Sequence, residues 1–156
     1  MSNELSRTAP LPPVTEAQNV AFENLIDRVA EMPPVEIRTV HHLHAGVYSR
    51  TIYVPAGAVV VGLTIKCATQ LIGCGHFQIT DGGSTKEFKG FHVFDGSPGR
   101  RAAVVALTNC AFTMLFATDA KTVEEAEKEF TDEPERLATR KEKLICRDTQ
   151  WQELPS

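Results

Sequence analysis

The stretch Gly46-Val-Tyr-Ser-Arg-Thr-Ile-Tyr-Val-Pro-Ala-Gly-Ala-Val-Val-Val-Gly62 decides how this chain is read. Val47 to Val54 is rich in valine, isoleucine, tyrosine and threonine, the residue types that suit a pleated, half-buried surface. Pro55-Ala56-Gly57 breaks that run as a turn, and a second β-type run follows through Lys66. Just upstream, His41, His42 and His44 place imidazoles close to the first strand.

Outward from this stretch, the segment from Val35 to Thr118 keeps the same character: short runs of Val, Ile, Thr and Phe separated by glycine and proline turns. Strands are expected at about 36–40, 47–54, 58–66, 70–80, 85–94, 101–107 and 110–118. Asp81-Gly82-Gly83-Ser84 reads as a hairpin turn and Asp95-Gly96-Ser97-Pro98-Gly99 as a longer one. Many short strands with regular turns favour an antiparallel sandwich or barrel.

The flanks are helical. Thr15-Glu-Ala-Gln18 is a capping-box pattern, Val20, Leu25, Ile26 and Val29 follow at helical spacing, and Met32-Pro33-Pro34 stops the helix. Thr122-Val-Glu-Glu125 opens an acidic helix over Val123–Phe130, read as a solvated face. Asp132-Glu-Pro134 is expected to start a further helix running to about Leu144. The domain organisation is therefore an extended arm (1–14), a helix (15–34), a β-domain (35–118) and a helical segment with a tail (119–156). The proline-bearing arm and the tail, with Trp151, suit docking on a neighbouring subunit.

Composition bounds the function. The chain has 156 residues, 42% hydrophobic and 23% charged, with a formal net charge of -4. That is one soluble-type domain with no basic stripe, so nucleic acid is not an expected partner. No apolar run approaches the roughly 20 residues needed to span a bilayer, so no membrane is expected. Met1 to Arg7 lacks a basic start followed by an apolar stretch, which points to the cytoplasm. Cys67, Cys74, Cys110 and Cys146 form no Cys-x-x-Cys pair and are read as reduced, packed thiols. Cys74 and His76 share a strand face, but nothing else supports a cysteine nucleophile. No serine–histidine–acid pattern and no phosphate-cradling loop is present.

His41-His42, Gly46 to Arg50, Ile52 to Gly57, Gly62 to Lys66, Thr80 to Gly83, Ser97 to Arg101 and Ala106 to Thr118 carry a resemblance in order and spacing. Over about half its length, the chain resembles the small cupin-like (RmlC-like) proteins encoded by tailed phages and prophages. The resemblance implies a mainly β fold: a double-stranded β-helix barrel with one N-terminal helix and one or two C-terminal helices, forming a homo-oligomer. It also implies where metal ligands would stand. This chain has Ile65 before Lys66, Ala68 or Thr69 further on, and Leu115-Phe116 near the end of the last strand. Isoleucine and phenylalanine offer a metal no lone pair. Alternation then lines the barrel with Val61, Leu63, Ile65, Phe112, Met114 and Phe116, a packed interior.

Two sets of candidate residues remain. His41, His42 and His44 are the remaining ligand set; His42 and His44 share one face of an extended segment, and with His76 or His92 they are the alternative metal set for Fe, Mn or Zn. Arg50, in mid-strand, and Arg101, after the Ser97-Pro98-Gly99 turn, are the candidates for gripping an anionic ligand through the planar guanidinium fork. The expected function is a non-catalytic, cofactor-free structural or binding module in an oligomer, associated with phage or prophage, with virion or other phage proteins as partners. The alternative is a metal-dependent cupin enzyme, a dioxygenase or isomerase of a small polar substrate.

Overall fold

The computed structural model describes residues 3–6 and 8–137, and the following concerns those residues. A helix α1 (Glu16–Ala30) precedes the strands β1 (Arg38–His44), β2 (Val47–Val54), β3 (Val59–Val61), β4 (Thr69–Thr80), β5 (Thr85–Gly96), β6 (Ala103–Ala106) and β7 (Cys110–Ala117); a helix α2 (Val123–Phe130) and a 3-10 turn (Pro134–Arg136) follow. The fold is mainly β, as the sequence implies. The helix expected from Asp132 to Leu144 is only that single turn within the described residues, with Leu137 already extended. Trp151 and Cys146 lie outside them.

The strands form one curled antiparallel sheet in the order β1-β2-β7-β4-β6-β3, with β5 on the other edge of β4. β4 is the pivot. Along one edge it pairs with β5 throughout; along the other it pairs with β7 through Cys74 and with β6 from Phe77 onward. The switch happens at Gly75, whose φ of 126° is open to glycine alone, and where a Cβ would fall 2.6 Å from Cys110 Sγ. The loop between β6 and β7 fills the break: the Leu107 N–H donates to the His76 carbonyl, and the His76 N–H to Thr108 Oγ1.

β1 is longer than the sequence suggests and contains all three upstream histidines. It pairs with β2 residue for residue, His44 opposite Val47, across the two-residue turn Ala45-Gly46. Both turn residues have positive φ, 54° and 72°. Such a turn matches the right-handed twist of its strands and is therefore favoured between them, even with an alanine at its first position.

α1 begins with the reciprocal capping box the sequence announces: Thr15 accepts from the Gln18 amide, and Gln18 accepts from the Thr15 amide. Its anchor is Phe22, buried at 3%, whereas Val20 is 52% exposed. Phe22, Leu25, Ile26 and Val29 share a face at helical spacing; Val20 lies off that stripe. Glu23 fastens this helix. It pairs with Arg101 at 3.0 Å and with Arg136 at 2.9 Å, tying α1 to the approach to β6 and to the 3-10 turn. The arm is pinned to its own barrel at Leu11 and Val14, whose amides donate to the carbonyls of Asp95 and Gly99.

Replacing Ala45 with Asn relieves the left-handed strain at the β1–β2 turn. The expected gain is about 1 kcal/mol in chemical denaturation, with an unchanged denaturant slope. Glu23 makes a pH prediction. The hydrogen bond from Arg136, and then that from Arg101, hold its carboxyl below its ordinary value of 4.5. A group with a depressed folded-state pKa stabilises above the unfolded value and loses that contribution as pH falls through the folded one. Glu23→Gln should therefore cost about 1 kcal/mol near neutrality, the upper end for a half-exposed pair, and flatten the acid limb of thermal stability against pH.

Candidate functional site

Two apolar clusters fill the curl of the sheet. One holds Tyr48, Leu63, Ile65, Met114, Phe116, Ala126, Phe130 and Leu137; the other holds Val54, Ala58, Phe77, Ile79, Ala106, Cys110 and Phe112. Leu63, Ile65, Phe112, Met114 and Phe116 are all buried, as alternation along their segments requires, while Val61 is half-buried. Phe130, at the end of α2, closes the first cluster. Its ring stacks on Tyr48 at 6.0 Å and meets Phe116 edge-on at 6.0 Å. The Lys66 amide fixes the helix end by donating to the Phe130 carbonyl.

Beside these hydrocarbons lies a compact polar group that faces the same interior. In β1–β2–β7 the register sets His41 opposite Arg50 and Arg50 opposite Met114. Side chains level across a sheet share a face, so His41 and Arg50 point inward with Met114. Tyr48, two residues before Arg50, is fully buried, and its hydroxyl lies 2.7 Å from His41 Nδ1. Their rings stack at 5.9 Å. Glu127 of α2 is 4% exposed and acts on the same phenol.

Burial above all pushes the Tyr48 phenol up to about 12; the Arg50 charge opposes this and the Glu127 charge adds to it. Arg50 also hydrogen-bonds the phenol. A guanidinium can only donate, so the phenol oxygen accepts from Arg50 and its own proton can go to His41 Nδ1. The arrangement holds a fixed cation and a neutral phenol in a dry interior, which suits recognition of a polar group more than bond-making.

The other sequence candidates are scattered. His42 and His44 do share a face, but it is the exposed outer face of β1, because the strand runs through them and turns His41 inward instead. His76, on β4, lies 3.2 Å from Glu87 of the neighbouring strand. His92, on β5, is half-buried among Phe77, Phe88 and Phe94, with Nε2 2.6 Å from the Lys89 carbonyl. The structure therefore does not assemble the alternative metal set, and no three His, Cys, Asp or Glu side chains converge as ligands among the described residues. Ile65 and Phe116 do not fit a metal either. Arg101 is 4% exposed and engaged with Glu23, the Gly62 carbonyl at 2.8 Å and the face of Phe22 at 5.3 Å.

Sequence reasoning found Arg50 and counted His41 with His42 and His44 as a ligand set, but not Tyr48 or Glu127. The signal available was the two-residue spacing of Tyr48 and Arg50. Glu127 sits in an acidic helix read as solvated; only its place between Ala126 and Phe130 hints at burial.

No protein-family model matches the chain, and no curated protein matches it. Solved structures do. A cupin superfamily protein from Desulfitobacterium hafniense DCB-2 is 13% identical, with a TM-score of 0.48 over 57% of this chain and 84% of that one. KdgF from Halomonas sp. is 20% identical, with a TM-score of 0.46 over 56% and 87%. Ectoine synthase from P. lautus is 15% identical, with a TM-score of 0.48 over 69% and 83%. The fold is a mainly β, curled antiparallel half-barrel with two helices, consistent with a cupin-like barrel. No helix among the described residues is long and apolar enough to cross a membrane.

Tyr48 gives a direct check. Of the two tyrosines in the chain, one should ionise only near pH 12 in ultraviolet titration, and Tyr48→Phe should remove that step. Because its folded pKa is raised, its contribution is complete below the unfolded value and is lost as pH climbs through the folded one.

Proposed function

We propose that this chain is a non-catalytic cupin-like module that acts as a structural or binding subunit of a homo-oligomer. One observation carries the reading: Leu63, Ile65, Met114 and Phe116 pack with Tyr48 and Phe130 in the interior, and Ile65 and Phe116 stand where the resemblance implies metal donors. Close-packed hydrocarbon of this kind supports a scaffold better than a reaction chamber. The inward polar group at Arg50 is the contact for a ligand in such a module, since Arg101 is engaged by Glu23. What supports phage or prophage association, with virion or other phage proteins as partners, is the sequence resemblance. The same resemblance supports self-association, to which the exposed Phe91 and Val93 on β5 add apolar surface. The cytoplasm is the proposed location.

Elemental analysis of the purified chain should find no stoichiometric iron, manganese or zinc, and adding each metal should leave the melting temperature unchanged. Stoichiometric metal released by His42→Ala and His44→Ala would establish the enzyme alternative instead. In solution, light scattering should give a mass above that of one chain; a strict monomer removes the oligomer from the proposal.

A further inference from the structure

The chain buries a second arginine beside Arg101, and it is held in a different way. Arg100 is 5% exposed. Its Nε and Nη2 both donate to Thr69 Oγ1, at 3.1 Å and 2.9 Å. A guanidinium has five N–H donors, and among the described residues Arg100 has no other acceptor and no carboxylate partner. A largely buried cation that no carboxylate faces among the described residues is costly, since burial removes much of its water. Burial accordingly lowers its pKa to about 10.

The hydroxyl it engages is equally informative. Both lone pairs of Thr69 Oγ1 are taken by Arg100, so its own proton can only be donated onward. No acceptor for that proton is found among the described residues. Thr69 and Gly96 hold Arg100 from two sides: a Cβ on Gly96 would fall 2.3 Å from Arg100 Nε. The same Thr69 and Gly96, with Ser97, line an open surface cavity of about 490 Å³. Thr69, whose hydroxyl is free to donate and rests on the Arg100 guanidinium behind it, therefore lines a cavity large enough for a small ion. Asp95 also lines it, but Asp95 is exposed and its charge is screened by water; that of Arg100 is not.

We propose that this cavity binds a small oxyanion of the phosphate or sulfate class, held by the Thr69 and Ser97 hydroxyls over the Arg100 charge. The proposed contacts Thr69, Ser97 and Arg100 are separate from the Tyr48–Arg50 group, although Phe116 lines the cavity and also packs on Tyr48. The sequence placed an anion contact at Arg101, one residue away, where the structure instead supplies a carboxylate.

The test is titration of the full chain with inorganic phosphate and with sulfate, followed by backbone amide shifts and by melting temperature. The expected result is a saturable shift centred on Thr69, Gly96 and Ser97 with a matching rise in melting temperature. Thr69→Val, which keeps the shape of the side chain, should weaken binding about tenfold, the loss for one hydrogen bond in a charged site. Arg100→Gln should abolish it. If Arg100→Gln does not fold, the wild-type shift map and Thr69→Val still decide. No saturable response, shifts centred elsewhere, or full binding retained in Thr69→Val would each overturn the site.

Discussion

Tyr48, Phe116 and Phe130 meet inside the barrel, and much of the rest follows from that contact. Tyr48 comes from β2, Phe116 from β7 and Phe130 from α2, so three elements distant in sequence are fixed by one aromatic cluster. Aromatic pairs of this geometry add about 0.5–1.5 kcal/mol each beyond the area they bury. Because Phe130 must reach the interior, α2 lies across it, and Glu127 is carried into burial three residues earlier. Glu127 then acts on Tyr48 with Arg50 and His41 nearby. The polar group of this protein is thus a consequence of the hydrophobic one.

Charge is distributed by the same logic. Among the described residues, Arg50, Arg100 and Arg101 are largely withdrawn from solvent, and each is treated differently. Arg50 engages a phenol, Arg101 a carboxylate and a carbonyl, and Arg100 a hydroxyl. Only a carboxylate neutralises a guanidinium, so Arg101 is the fastening residue, and no described carboxylate neutralises Arg100. Neighbours in sequence on an extended segment face opposite ways and meet different surroundings, which is why adjacent arginines have such different roles.

Much of the fold was legible from local pattern. The capping box at Thr15 and Gln18, the turn at Asp81 to Ser84, and the burial of Ile65 and Phe116 all appear as expected, because each depends on near neighbours or on two-residue alternation. The length of β1 was not legible. His41 to His44 is polar, and its pairing with β2 depends on an Ala45-Gly46 turn whose first residue is not a usual choice for positive φ. With that boundary misplaced, the three histidines read as one cluster, and nothing marked His41 as the inward one.

The sequence by itself determined that this is a mainly β chain flanked by helices, with hydrocarbon such as Ile65 and Phe116 on the buried face; periodicity and residue chemistry are local and need no partner to be read. Only the tertiary structure decided which polar groups meet. Glu127 reaching Tyr48, Glu23 claiming Arg101, and Arg100 resting on Thr69 are all long-range encounters. They are set by how the sheet curls and how the helices close it, and no spacing along the chain encodes them.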